Sequence, residues 1–495
     1  MVLNNPAEIA QTHSSYDVVV VGTGPVGTTL AIQLSTKGKK VLLLEGGAEN
    51  YTDASQNRYA GNVVGLDWSN YNYLDGLRLR FWGGTSNHWV GQCVRLDAQD
   101  LAGWPISHEE LYRHADIVEA ILETEPYELV QGELKARWML HGGGERLHQV
   151  KPRLRSRPVR FKTKYEDRIR NDDNITMCLN ANLVDIGIHE GVGRVDWLEL
   201  ALSPQSERIR INTQGVQVVL GMGAIENTRF MLLLQKKYKR KSDWNTNLVG
   251  KNFLEHPHFD WDDPIAYCLS PKGTLDKTGF ASDIPFDKQR HSVAICPTPE
   301  FRKKAGVLNY AFMVHKARAD FNVKAFERDY YHLIQSLQNS GVSGSMGRDA
   351  YDVHIVNMQC EINTSVNNYI ALNPSDRDDF GISRVVLSIG LTDALRKTVA
   401  IGVHNLQRDL SKVGGVLIRA IDQPTFFMGG AHPLGTTRMG DSVDNGVVDK
   451  HGKIFGLENA YICSGSNFVS SGYANPTLTL VHMAVNLAEE LVKGR

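Results

Sequence analysis

The most apolar stretches of the chain are short and sharply bounded, and their spacing predicts its first elements. Val18–Val21 is a continuous β-branched run, the pattern of a strand buried on both faces. Gly22-Thr23-Gly24-Pro25-Val26-Gly27 follows directly. From Thr28 to Lys37 the apolar positions Leu30, Ala31 and Leu34 recur at helical spacing, and Gly38 supplies the stop. Val41–Leu44 is a second buried strand, ending at Glu45. Together these make one β-α-β unit.

Periodicity fades over residues 51–104, where Gly, Asn, Trp and Tyr crowd together. A loop-rich aromatic stretch inside a compact protein suits wrapping around a ligand. Helical spacing returns over 109–129. Residues 175–188, 195–202 and 215–220 have strand patterns, and 224–235 a helical one. Between 260 and 421 strand-like runs (353–360, 368–372, 384–389) alternate with polar turns, and a helix covers 393–413. A strand over 460–464 and a helix over 476–492 complete the pattern. There is no internal repeat and no low-complexity tract.

A chain of 495 residues has room for two or three domains, or for two built from interleaved segments. Its 54 basic and 55 acidic side chains leave a formal charge of -1, so no global field favours nucleic acid or anionic lipid. No apolar run approaches the roughly 20 residues that span a bilayer. Residues 1–17 lack the basic-then-apolar order of a secretory signal. The six cysteines are scattered with no CxxC pair, so they fit small buried hydrophobes better than a disulfide framework or a metal site. The expectation is a cytoplasmic protein without a metal, a nucleic-acid partner or a membrane span.

Three clusters carry chemistry. In a strand–GxGxxG–helix, the first two glycines allow a tight turn and close backbone approach, and the third lets helix and strand pack. The helix N-terminus then offers N–H groups to a pyrophosphate. Glu45, 18 positions after Gly27, can accept hydrogen bonds from both ribose hydroxyls of an adenosine. This motif alone does not separate NAD from FAD, and a glycine turn without a ligand is the bland alternative. In Arg80-Phe81-Trp82-Gly83-Gly84-Thr85-Ser86-Asn87-His88-Trp89, paired glycines beside small polar side chains suit a backbone lying against a flat ring; an aromatic turn is the alternative. The third cluster joins His432, in the glycine-bounded turn Gly430–Gly435, with Ser464-Gly465-Ser466 and Ala474-Asn475-Pro476-Thr477. Asn475 suits the N-cap of the last helix and Pro476 its first position. A lone histidine is usually structural; one paired with an asparagine at a helix start, downstream of a dinucleotide fold, is less easily dismissed.

These pieces, in this order, resemble the glucose–methanol–choline (GMC) family of FAD-dependent oxidoreductases. The resemblance runs the length of the chain. It rests on the N-terminal unit, on Gly83–Trp89, on Gly103-Trp104-Pro105-Ile106 and on Val219–Asn227. Asn247–Phe253 with His256-Pro257, HPLGTTRMG from His432, Val447-Val448-Asp449 and Ala474–Thr477 complete it. It implies an α/β protein: a Rossmann-type FAD-binding domain from residues 1–115, 170–265 and 425–495, and an α+β substrate domain with a large antiparallel sheet from 116–169 and 266–424. Gly22, Gly24, Pro25, Val26, Gly27 and Glu45 would bind the cofactor. So would Gly83, Gly84, Thr85, Asn87, His88, Val184 (on the strand that touches adenine), Gly223, Ser464, Asn475, Pro476 and Thr477. His432 falls on the catalytic histidine, and Asn475 on its partner. His88 aligns with the histidine that carries a covalent flavin in pyranose-oxidase-like members, but Val90 stands where those carry threonine, so a non-covalent flavin is expected.

The implied reaction is oxidation of a hydroxyl by hydride transfer to flavin N5, with neutral His432 as the base and Asn475 aiming the substrate. A sugar or glycoside ring hydroxyl is the expected donor, with Trp68–Tyr73 as a candidate sugar platform; a non-sugar alcohol is the alternative. Oxygen or another acceptor would reoxidise the flavin, and a homo-oligomer is compatible with the sequence. The rival readings are an FAD-containing lyase, a non-catalytic flavin-binding subunit and an NAD-linked dehydrogenase.

Overall fold

The computed structural model describes residues 1–494 except 13–14, 66–72, 141–146, 239–246, 260–263, 279, 281–282, 287–288, 317–350, 419 and 425–427. The candidate sugar platform at 68–72 therefore lies outside the described residues; Tyr73 lies within them.

Val18–Val21 and Val41–Leu44 pair in parallel, and every residue of both is at most 4 % exposed. They sit in a six-stranded parallel sheet ordered Val2–Leu3, Ile175–Cys178, Val41–Leu44, Val18–Val21, Gln217–Leu220, Ala460–Ile462. Burial on both faces is what selects uninterrupted Val and Leu, each stabilising by roughly 1.5–3 kcal/mol. The helix Pro25–Thr36 crosses between the first two, buries Leu30, Ala31 and Leu34, and stops at Gly38 (φ +76°). Helix Thr477–Lys493 packs against it.

A ten-stranded antiparallel sheet, built largely from the middle of the chain, forms the second layer. Its register separates two faces. Val150, Pro152, Val293, Ile295, Phe312, Val356 and Met358 share the apolar one. Helix Asp393–Ser411 packs there, with Gly402 against Met358 and Tyr310. The other face presents Arg153, opposite Ser292, and Gln359, opposite both Ala311 and His258. The fold class is thus the mixed α/β architecture expected from the sequence.

Two predicted elements are subdivided. Residues 175–188 break at Asn180, whose φ of +56° turns the chain from Ile175–Cys178 in the parallel sheet to Asn182–His189 in a separate three-stranded one. The helical region 109–129 is three helices, His108–Leu111, Ala115–Leu122 and Tyr127–Leu140, the second ended by Glu123 in the left-handed region. No helix among the described residues is long and apolar enough to cross a membrane. All six cysteines are buried and unbridged.

Candidate active site

The glycines of the first turn do different jobs. Gly22 has φ +106°, and a Cβ there would come within 2.6 Å of the Gly221 carbonyl oxygen. A Cβ on Gly27 would sit 1.8 Å from the Gly22 oxygen, so helix and strand meet only because it is absent. Gly24 and Gly223 instead face open space, on the wall of a cavity of ≈ 540 Å³. The N-terminus of helix Pro25–Thr36 opens onto the same cavity. Glu45 lines it too; its carboxylate accepts from Thr23 Oγ1 (2.5 Å) and the Gly47 N–H (2.7 Å), which fixes its direction. A bare glycine wall, a helix N-terminus and an oriented carboxylate could hold a pyrophosphate and a ribose, and the volume suits a large cofactor.

At the other side of this cavity stand His432 and Asn475. The turn carrying His432 is held from beneath, its backbone N–H donating to Glu255 Oε1 at 2.9 Å. The side-chain bonds then settle which nitrogen is protonated. His256 Nε2 lies 3.0 Å from the Ser471 carbonyl, which can only accept, so Nε2 carries the hydrogen and Nδ1 of this neutral ring accepts. His432 Nδ1, 2.9 Å from His256 Nδ1, must therefore donate. That leaves a lone pair on His432 Nε2, and Asn475 Nδ2 donates to it at 3.3 Å. Asn475 Oδ1 in turn accepts from Arg153 Nη2 at 3.1 Å.

Electrostatics support the neutral rings. Burial first, then the neighbouring His256, His258 and Arg153, holds His432 well below the usual imidazole range. Burial pulls His256 down to about 4, and burial together with His256 and Arg153 pulls His258 to about 3. Glu255 moves oppositely: burial pushes it up to about 7, against the pull of Tyr73 and of the backbone N–H groups of His256, His432 and Gly430. Donor atoms of Glu255, His256 and His432 lie within 4.8 Å of one another, close enough for a metal. The hydrogen bonds just described already account for the arrangement.

Of the residues singled out from sequence, Gly22, Gly24, Pro25, Val26, Glu45, Gly84, Thr85, His88, Gly223, His432, Ser464, Asn475, Pro476 and Thr477 line this one cavity. Gly27, Gly83, Asn87 and Val184 do not. Gly27 packs behind the turn. Gly83 and Asn87 shape the next one, the Asn87 amide donating to the Trp82 and Gly84 carbonyls at 2.9 and 3.0 Å. Val184 adjoins Leu183, which does line the cavity. Asn475 is not the helix cap: the helix begins at Thr477 with Pro476 in the cap position, and the amide is directed to His432 instead.

Sequence reasoning missed several residues. Arg78 and Glu226 line the cavity and form a buried ion pair at 3.1 Å, extended through Arg229 to Asp378. Burial alone would raise the Glu226 carboxyl; Arg229 and Arg78 bring it below its usual value. His256-Pro257 matches the family pattern but was given no role, and the flanking Glu255 and His258, together with Arg153, were missed. Three titratable side chains in the four positions 255–258 were the available signal there; Arg153 had none.

Residues 364–484 match the family model for GMC oxidoreductase. Among curated proteins, the fructose dehydrogenase large subunit of Gluconobacter japonicus is 22 % identical over 97 % of this chain and 98 % of its own. Paromamine 6'-oxidase of Streptomyces fradiae is 30 % identical over 25 % of this chain and 23 % of its own. The fold is shared with pyridoxine 4-oxidase from Mesorbium loti, at a TM-score of 0.57 and 13 % identity, covering 96 % of this chain and 99 % of that one. The match on its C-terminal part, a full-length relative, and a glycine-walled cavity facing a His–Asn pair together support membership of the GMC oxidoreductases, and with it an FAD-dependent enzyme.

Proposed function

We propose that the protein oxidises a hydroxyl group of a sugar or glycoside to a carbonyl, with His432 as general base. The observation that carries this reading is the unprotonated Nε2 of His432, 3.3 Å from Asn475 Nδ2 on the wall of the glycine-lined cavity. Gly22, Gly24, Glu45, Gly223 and the N-termini of helices Pro25–Thr36 and Thr477–Lys493 would hold FAD, which when bound supplies a two-electron acceptor. A hydroxyl donating to His432 Nε2 gives up its proton there as the C–H bond breaks. Asn475 Nδ2 carries two hydrogens and can turn one to the substrate oxygen, holding the reacting carbon in line. His432 has room for the proton because its other nitrogen already donates to His256.

The sugar preference draws on the relative named for fructose and on the polar face carrying Arg153, Gln359 and His258. Other relatives are named for long-chain alcohols and pyridoxine, so non-sugar alcohols form the second arm of the test. Non-covalent flavin is favoured by Val90 and by His88 Nε2, which donates to the Leu77 carbonyl at 3.3 Å. Anaerobic addition of pyranoses, glycosides and simple alcohols to the yellow holoenzyme tests the reading. Bleaching by a sugar is expected. Turnover of substrate without bleaching would mean a lyase, and bleaching only by non-sugar alcohols would move the substrate class. Acid precipitation should release the flavin into the supernatant.

A further inference from the structure

Arg153 lies on the strand His148–Arg155, on the polar face of the large sheet, and is only 8 % exposed. Its guanidinium contacts no carboxylate among the described residues. The bonds of its side chain go to two amides: Nη2 donates to Asn475 Oδ1 at 3.1 Å and to Gln359 Oε1 at 3.4 Å. Gln359 is anchored in turn, its Nε2 donating to the Tyr473 carbonyl at 2.6 Å. A buried cation without a counter-ion is expensive and is retained where it serves a site.

The chemistry of Asn475 shows what this one does. A reversed carboxamide would set Oδ1 against the lone pair of His432 Nε2, and its NH₂ against the guanidinium. Both contacts would be repulsive, acceptor to acceptor and donor to donor. One orientation survives. The charge also reaches the base, since the groups facing His432 are Glu255 at its backbone, His256 and His258 from the adjoining segment, and Arg153 from the sheet.

We infer that Arg153 is a positioning residue for the oxidation: it fixes the Asn475 carboxamide with Nδ2 toward His432 and the substrate oxygen, and its charge disfavours the imidazolium. This rests on the reaction proposed above. The test uses the holoenzyme and the variants Arg153→Met and Arg153→Lys. In a crystal structure of Arg153→Met, Asn475 Nδ2 should have left His432 Nε2. Flavin reduction by the donor that bleaches the wild type should fall about 10²-fold with FAD still bound. The acidic limb of its pH profile should move to higher pH, because losing a nearby cation makes the imidazolium easier to form. Arg153→Lys keeps the charge and should leave the limb in place while slowing reduction. An unmoved Asn475 or an unmoved limb in Arg153→Met overturns the inference, as does a limb in Arg153→Lys shifted as far as in Arg153→Met. If no alcohol or sugar bleaches the wild type, the proposed reaction fails, and the orientation of Asn475 still decides the role of Arg153. If Arg153→Met does not fold, Arg153→Gln, which also removes the charge, takes its place: its acidic limb should move to higher pH, and an unmoved limb overturns the inference.

Discussion

The Nδ1 atoms of His256 and His432 lie 2.9 Å apart, and the Ser471 carbonyl on the far side of His256 dictates which of the two is protonated. A main-chain oxygen thereby selects the tautomer of His432 through the ring of His256. Removing the relay in His256→Ala should let His432 adopt the wrong tautomer and slow flavin reduction by about 10²- to 10⁴-fold. His256→Asn, which can still accept from His432 Nδ1, should retain more. Equal, near-wild-type rates in both variants would show that the relay is idle.

His432→Ala removes the proposed proton acceptor without touching the glycine wall. Reduction should drop by about 10²–10⁴-fold, while the bound-flavin spectrum persists. Rapid anaerobic mixing measures the first and a visible scan the second. Near-normal reduction would take His432 out of the role.

The two glycines at 24 and 27 predict opposite failures. A Cβ at Gly24 meets no protein atom within 4 Å and stands on the cavity wall, so Gly24→Val should fold yet purify colourless. Gly27→Ala collides with the Gly22 oxygen, and should lose several kcal/mol, about the cost of severe overpacking, whatever the flavin content. Flavin absorbance and melting temperature, recorded for both, separate the cases. A yellow Gly24→Val protein would contradict the assignment.

Glu255 gives a pH dependence with a definite sign. Its carboxyl rises from 4.5 to about 7 on folding, so the native state binds that proton more tightly than the unfolded chain. The resulting stabilisation is complete below pH 4.5 and is lost as pH climbs through about 7. Glu255→Gln cannot lose the proton. Its melting temperature relative to wild type should therefore improve from pH 5 to pH 8. A constant difference across that range would show that Glu255 does not titrate there.

Much of the fold was legible because its strands are buried on both faces, which leaves unbroken runs such as Val18–Val21. The His432–Asn475 pair was legible through its glycine- and proline-marked turns. Turns inside apolar runs were not: nothing in the hydropathy around Asn180 announces its positive φ. Asn475 looked like a cap because residue type reveals capping capacity, whereas tertiary contacts decide where the amide points. Arg153 was invisible for a related reason. Its partners Gln359 and Asn475 lie on other segments, and only the register of the sheet brings them together.

The cavity wall is assembled from the turn at Gly22–Val26 and from Ser464, Asn475 and Thr477, segments drawn from opposite extremes of the numbering. Any molecule seated there fastens one extreme to the other, like a clasp closing a necklace. Emptying the site should loosen both segments together, and amide protons in helices Pro25–Thr36 and Thr477–Lys493 should then exchange in step. Colour and shelf life would become two readings of a single equilibrium.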